Sequence, residues 1–284
     1  MSDAISIATG RVASLISLTN PAVLTVAHRG DWSHAPENSL AAIRDCIAAG
    51  VEIVEFDTQP TADGHLIVIH DETYDRTSTL TGRIETQPLA TVRAARLRAR
   101  DGIDTPLTDE RIPTLVEALE EARNRIVVNI DTKYVVDLPA VTKTVLDLGM
   151  ADNVIIKSDV DSWRDVALVR EMPFFGHLPY MPKIRLDAAR ASEHAEIAKA
   201  LGSGMIEARF DDFADLLAAR AVCLPANIRL WINTLDPVHP LNFSDSNALS
   251  DPDGIWGTLI RAGVGAIQTD QIAFFRSWVK RAGF

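Results

Sequence analysis

The chain has 284 residues, of which 47% are hydrophobic, enough to bury the core of one large α/β domain. Its net charge of −11 opposes polyanions, and no basic stripe of the kind a nucleic-acid binder needs is present. Two cysteines, Cys46 and Cys223, are too few for a disulfide scaffold and point to a reducing compartment, so a cytoplasmic location is expected.

Residues 1–22 read as an N-terminal extension. With Asp3 near the start, no basic n-region and no long apolar run, it reads as neither a signal peptide nor a membrane span. Apolar residues at 12, 15, 16 and 18 predict a short amphipathic helix over Gly10 to Leu18, suited to capping the bottom of a barrel.

From 23 to 284, β-like runs near 23–28, 52–58, 126–132, 153–158, 173–178, 205–210, 228–234 and 265–269 alternate with helical patterns. The helical patterns include 40–49, 114–123, 137–148, 161–170 and 186–201. Eight strands with crossover helices predict an α/β fold, a (β/α)8 TIM barrel in one domain, with catalytic groups at the C-terminal ends of its strands. His28, Asp57 and Asp131 end expected strands, and Trp231 lies late in another.

After the second strand the sequence breaks the alternation with a β-hairpin and a loop insertion, about 60–111. If Asp63-Gly64 is a two-residue turn, paired residue numbers sum to 127 and His70 lies opposite Asp57. The basic run Arg93 to Arg100 reads as a solvated face, while the length of the insertion suggests a lid.

The residues that carry chemistry concentrate between Ala27 and Thr77. Glu55 and Asp57, two apart on a strand, face the same way and repel each other unless a cation intervenes, and a hard divalent ion satisfies them. His28 and His70 are the expected acid and base, and Arg29 has the planar fork that grips non-bridging phosphate oxygens. Gly30 permits a close backbone approach. Glu37 reads as an orienting group for His28 or a support for the metal ligands, and Asn38-Ser39 as the cap of a helix starting near Leu40.

The order His28-Arg29-Gly30, Pro36-Glu37-Asn38-Ser39, Glu55-Phe56-Asp57, Ala62-Asp63-Gly64 and His70-Asp71 resembles the glycerophosphodiester phosphodiesterase family. Ile112-Pro113-Thr114-Leu115, Asn129 to Lys133, Trp231-Ile232-Asn233 and Gly263 to Asp270 extend the resemblance almost to the C-terminus. It implies Glu55 and Asp57 as metal ligands and Asp131 as the third, at a position where the family usually has glutamate and the related sphingomyelinase D group has aspartate. It implies Lys133 as the basic group near the phosphate. One Mg2+ or Ca2+ is expected, since the ligands are hard oxygens and no cysteine is near.

The chain departs from the family at Ile155-Ile156-Lys157-Ser158-Asp159, where Ser-Ser-Phe is common. Lys157 and Arg209, if inward, suit a polar leaving alcohol such as a sugar or inositol; the other reading is outward salt bridges. Trp231 is the expected apolar wall for the alcohol, with Trp32 second.

The reading is a metal-dependent phosphodiesterase acting on a small glycerophosphodiester or sugar phosphodiester, without nucleic-acid partners or stable membrane insertion. A phospholipase D-like or lyase reaction closing a cyclic phosphate is the enzymatic alternative. A catalytically silent ligand-binding barrel is the alternative from another class, and oligomeric state has no signature in the sequence.

Overall fold

The computed structural model describes residues 10–284, so the first nine positions of the expected extension lie outside the described residues. In chain order the elements are α1 (Arg11–Ile16), β1 (Leu24–Ala27), α2 (Leu40–Ala48), β2 (Ile53–Pro60), β3 (Leu66–Val68), α3 (Leu89–Val92), α4 (Leu115–Ala122), β4 (Val127–Thr132) and α5 (Leu138–Asp147). They continue as β5 (Val154–Asp159), α6 (Trp163–Arg170), β6 (Tyr180–Arg185), α7 (Ala191–Ala200), β7 (Met205–Arg209), α8 (Phe213–Cys223) and β8 (Arg229–Asn233). The last are α9 (Asp245–Ser250), α10 (Thr258–Arg261), β9 (Val264–Thr269) and α11 (Ile272–Ala282). This alternation is that of a (β/α)8 barrel, with β3 as the hairpin strand after the second barrel strand.

The chain divides into two compact units, one of Ala27–Val154 and the other of Ile155–Phe284 with the segment up to Val26.

In the unit Ala27–Val154, α2 begins where the Ser39 hydroxyl accepts from the Ala42 amide, and α4 where Thr114 and Glu117 form a reciprocal capping box. β2 runs parallel to β4 in a register that pairs Glu55 with Asn129 and Asp57 with Asp131. The β2–β3 hairpin pairs Thr58 with Val68, Gln59 with Ile67 and Pro60 with Leu66. These numbers sum to 126, so the expected register is off by one. The cause is a three-residue turn: Thr61 N–H donates to His65 O, Gly64 N–H to Thr61 O, and Gly64 has φ +80°. Asp57 O accordingly accepts from Ile69 N–H at 3.0 Å, and the residue opposite Asp57 is Ile69, not His70.

The insertion is no bare loop. Tyr74, Ile84, Val92, Ala95, Leu97 and Ile112 bury themselves with Ile67 and Ile69 of the hairpin, giving the segment its own apolar core. Of the basic run, Arg93, Arg96 and Arg100 are exposed, with Arg93 2.9 Å from Glu117 and Arg96 paired with Asp109.

In the unit containing Ile155–Phe284, β5 to β9 are successive parallel neighbours, with Lys183 beside Glu207 and Glu207 beside Trp231. The strand expected at 173–178 is a turn instead, and the strand lies at Tyr180–Arg185. The apolar pair after Pro173 is not part of a strand: Gly176 turns the chain at φ +78°, and buried Phe174 stacks on Tyr180 with ring centroids 5.4 Å apart. Pro182, which removes a ladder donor, disguised the true strand. Buried Arg229 donates to the carbonyls of Ile16, Ser17, Asn20, Ala22 and Gly265, tying the segment after α1 to the starts of β8 and β9.

Candidate active site

β1 ends at Ala27, so His28-Arg29-Gly30 forms the turn just past its C-terminal end. Arg29 has φ +57° and Gly30 φ +82°, and a Cβ on Gly30 would lie 2.7 Å from Ala42 Cβ in α2, so glycine is required for conformation and for space. Arg29 N–H donates to Glu55 Oε2 at 3.1 Å. Its guanidinium sits 3.2 Å from Glu37 Oε1 and, through Nε, 3.5 Å from Asp57 Oδ2. Burial pushes the Arg29 pKa down, but Glu37, Asp57 and Glu55 together outweigh it and raise it, so the cation is permanent.

Asp57 is also held by Asn38, whose Nδ2 donates to Asp57 Oδ2 at 3.0 Å. The helix cap is Ser39 alone. The structural role expected of Asn38 as part of that cap is therefore replaced by a direct hold on a site carboxylate.

His70 follows β3 and reaches the cleft because Gln59 Nε2 donates to the carbonyls of Ile69, His70 and Asp71 at 3.1, 2.9 and 2.8 Å. The imidazole Nδ1 lies 2.8 Å from Asp71 Oδ1. Asp71 in turn accepts from Arg76 Nε at 2.7 Å, and Arg76 forks onto Glu37 at 2.6 and 2.9 Å. Burial alone would raise the Asp71 pKa, but the hydrogen bonds from Arg76 and His70 hold its carboxyl well below the usual range. Glu37 thus grips Arg29 and Arg76. Gln59, Asp71 and Arg76 were not expected as site residues, although Asp71 and Arg76 stand in the same motif as His70.

A cleft of about 250 Å³ is lined by Asp57, Gln59, His70, Asp131, Thr132 and Lys133. Glu55, Asp57 and Asp131 have the hard-oxygen chemistry that a divalent ion such as Mg2+ or Ca2+ takes. Glu55 and Asp57 share one face of β2, and Asp131 is the parallel register partner of Asp57, where adjacent strands lie about 4.8 Å apart. As the side chains stand, no group of three or more His, Cys, Asp or Glu among the described residues encloses an ion. Glu55 Oε2 and Asp57 Oδ2 each accept a hydrogen bond, from Arg29 N–H and Asn38 Nδ2 respectively.

In the other unit the structure separates the two cations expected to act together. Lys157 is 3% exposed, with Nζ 3.0 Å from Glu207 Oε2 and 5.8 Å from the centroid of the Trp231 ring. Trp231 is fully buried, its indole N–H donating to Asn233 Oδ1 at 2.6 Å, while Asn233 Nδ2 donates to Glu207 Oε1 at 2.9 Å. Arg209, at the end of β7, has a side chain 64% exposed and lies 3.9 Å from Asp159. Lys157 is therefore inward and neutralised, and Arg209 is outward.

Comparison with known proteins places this arrangement. Residues 28–171, half of the chain and all of the residues around the cleft, match the glycerophosphoryl diester phosphodiesterase family model. The chain belongs to that family. Residues 180–279 match a second model, a domain of unknown function. A glycerophosphodiester phosphodiesterase of Caldanaerobacter subterraneus subsp. tengcongensis is 37% identical over 141 residues, covering 48% of this chain and 57% of that protein. Mouse glycerophosphodiester phosphodiesterase 1 is 39% identical over 117 residues, covering 41% of this chain and 35% of that protein. The matched part thus spans little more than half of the first relative and about a third of the second. In fold, the chain is similar to the crystal structure of a family member from Parabacteroides distasonis, with a TM-score of 0.76 at 22% identity, covering 96% of this chain and 92% of that one. It is similar also to an Oleispira antarctica phosphodiesterase in complex with its product sn-glycerol-3-phosphate, with a TM-score of 0.67 at 20% identity, covering 90% and 96%.

Proposed function

We propose that this family member hydrolyses a small glycerophosphodiester to an alcohol and a phosphomonoester. The observation that carries the reading is the cleft itself, where the imidazole of His70, the carboxylates of Asp57 and Asp131 and the ammonium of Lys133 open onto one volume. His28 and His70 exchange protons with the attacking and leaving oxygens, and Arg29 and Lys133 bind the non-bridging phosphate oxygens. Glu55, Asp57 and Asp131 would hold one Mg2+ or Ca2+. When bound, it would polarise a phosphoryl oxygen and make a coordinated hydroxyl more acidic. The relatives named as glycerophosphodiester phosphodiesterases support the substrate class.

The leaving alcohol need not be highly polar. Lys157 is neutralised by Glu207 and Arg209 faces solvent, so neither supplies the uncompensated charge that would repel a trimethylammonium group. Glycerophosphocholine therefore belongs in the substrate class beside sugar and inositol diesters. The test is a panel of these diesters assayed with the wild type, His28→Ala and His70→Ala. Each variant is expected to lose roughly 10²–10⁴-fold in turnover with substrate binding retained. Near-normal turnover in either variant returns that histidine to a structural role.

A further inference from the structure

Arg76 is an arginine of the insertion that is not among the residues lining the cleft, yet it joins the two arms of the site. On one side Nε donates to Asp71 Oδ2 at 2.7 Å and Nη2 to Asp71 Oδ1 at 2.9 Å, and Oδ1 is also the oxygen 2.8 Å from His70 Nδ1. On the other side Nη1 and Nη2 reach the Glu37 carboxylate, which is 3% exposed and also holds Arg29. The guanidinium is itself fixed, because Nη1 donates to the Asp101 carbonyl. The turn supplying that carbonyl is moulded to Arg76: Gly102 has φ +82°, and a Cβ there would fall 2.3 Å from the Arg76 carbonyl oxygen. The same turn is bonded to the Glu37 loop, with Glu37 N–H donating to Arg100 O at 2.8 Å and Arg100 N–H to Ala35 O at 3.0 Å. These bonds and the insertion's own buried apolar cluster make it a buttress rather than the lid its length suggested.

An ionised carboxylate only accepts hydrogen bonds, so Asp71 requires His70 Nδ1 to carry its proton and leaves Nε2 as the nitrogen that exchanges protons with a ligand. A carboxylate with one donor is free to rotate, whereas Asp71 is clamped by a bidentate fork that lysine cannot reproduce. We propose that Arg76 is a positioning residue that fixes the tautomer and ring orientation of His70 through Asp71, while locking Glu37 and with it Arg29. This rests on the acid–base role assigned to His70 above. It gives the part of the insertion beyond His70 a purpose in the chemistry without placing Asp71 or Arg76 against the substrate.

The test reads the imidazole directly in the ligand-free full chain. ¹⁵N-labelled histidine spectra, with His70 assigned by its absence in His70→Gln, are expected to show the Nδ1–H tautomer in the wild type. Arg76→Lys and Asp71→Asn are expected to shift His70 towards Nε2–H or a mixture and to lower kcat roughly 10–100-fold, the usual cost of losing a group behind a working ligand or base. Asp71→Asn keeps the Arg76–Glu37 pair and so carries the test if the Arg76 variant folds poorly; Asp71→Glu should restore part of the kcat. Arg76→Lys and Asp71→Asn proteins that fold and keep the wild-type His70 tautomer would overturn the proposal. Because the spectra need no substrate, a chain that holds the Nδ1–H tautomer but cleaves no glycerophosphodiester would separate failure of the proposed activity from failure of the positioning.

Discussion

Asn38 and Asp57 hold each other by two reciprocal hydrogen bonds, Asn38 Nδ2 to Asp57 Oδ2 at 3.0 Å and Asp57 N–H to Asn38 Oδ1 at 3.2 Å. Asn38 adopts φ +55°, a left-handed conformation that asparagine tolerates better than most residues, and it is 4% exposed. The pair orients a carboxylate that would serve as a metal ligand, and it does so through the amide's ability to donate and accept at once.

Replacing Asn38 with alanine strands the part-buried Asp57 N–H and, of the two partners Asn38 and Arg29, leaves its carboxylate held by Arg29 alone. Asn38→Ala should destabilise the fold by about 1–3 kcal/mol, the cost of leaving a buried polar group unpaired. It should also weaken divalent-ion affinity by roughly 10–100-fold. Denaturant melts and calorimetric titration with Mg2+ or Ca2+ check the two effects, and wild-type values in both would show the pair to be idle.

Lys157 and Glu207 form a buried ion pair whose value lies in its completeness. Lys157→Met alone leaves Glu207 as an uncompensated charge and should cost about 3–5 kcal/mol, whereas Lys157→Met combined with Glu207→Leu should recover much of that loss. A double-mutant cycle in urea measures it. Equal destabilisation by the single and double variants would mean that packing, and not charge, sets the cost.

Strand spacing, the C-terminal location of the motif residues and the face shared by Glu55 and Asp57 were legible in the sequence, because period-2 burial and strand-end placement are local rules. The hairpin register was not, since a three-residue turn at Gly64 and a two-residue turn at Asp63-Gly64 share the same letters. For Arg209 the sequence left inward and outward open, because residues two apart share a face; it is the last residue of β7, with a side chain 64% exposed, while that of Glu207 two residues earlier is 11% exposed. The clamp of Arg76 on Asp71 and Glu37 spans 39 residues to the latter, a distance at which no periodicity operates.

Asp245 should give the fold a pH dependence of its own. It is 1% exposed, accepts from the hydroxyls of Thr234 and Thr269 and from Asp270 N–H, and burial pushes its pKa up to about 7 from 3.8. The folded chain then keeps a proton that the unfolded chain releases, so this contribution is fully present below about pH 4 and lost as pH rises to about 7, by up to about 1.4 kcal/mol per pH unit. Asp245→Asn should flatten that slope in melts taken between these limits. An unchanged slope would mean that the hydroxyl donors keep Asp245 ionised.

The most direct test of the proposed chemistry is ³¹P NMR of the purified chain incubated with glycerophosphodiesters, first after chelation and then with Mg2+ or Ca2+ restored. A phosphomonoester resonance should be absent from the chelated sample, should appear when either ion is added, and should be lost in Asp57→Asn and Asp131→Asn together with calorimetric ion binding. Full turnover in the chelated protein, or no phosphomonoester from any diester in the presence of both ions, would contradict the account.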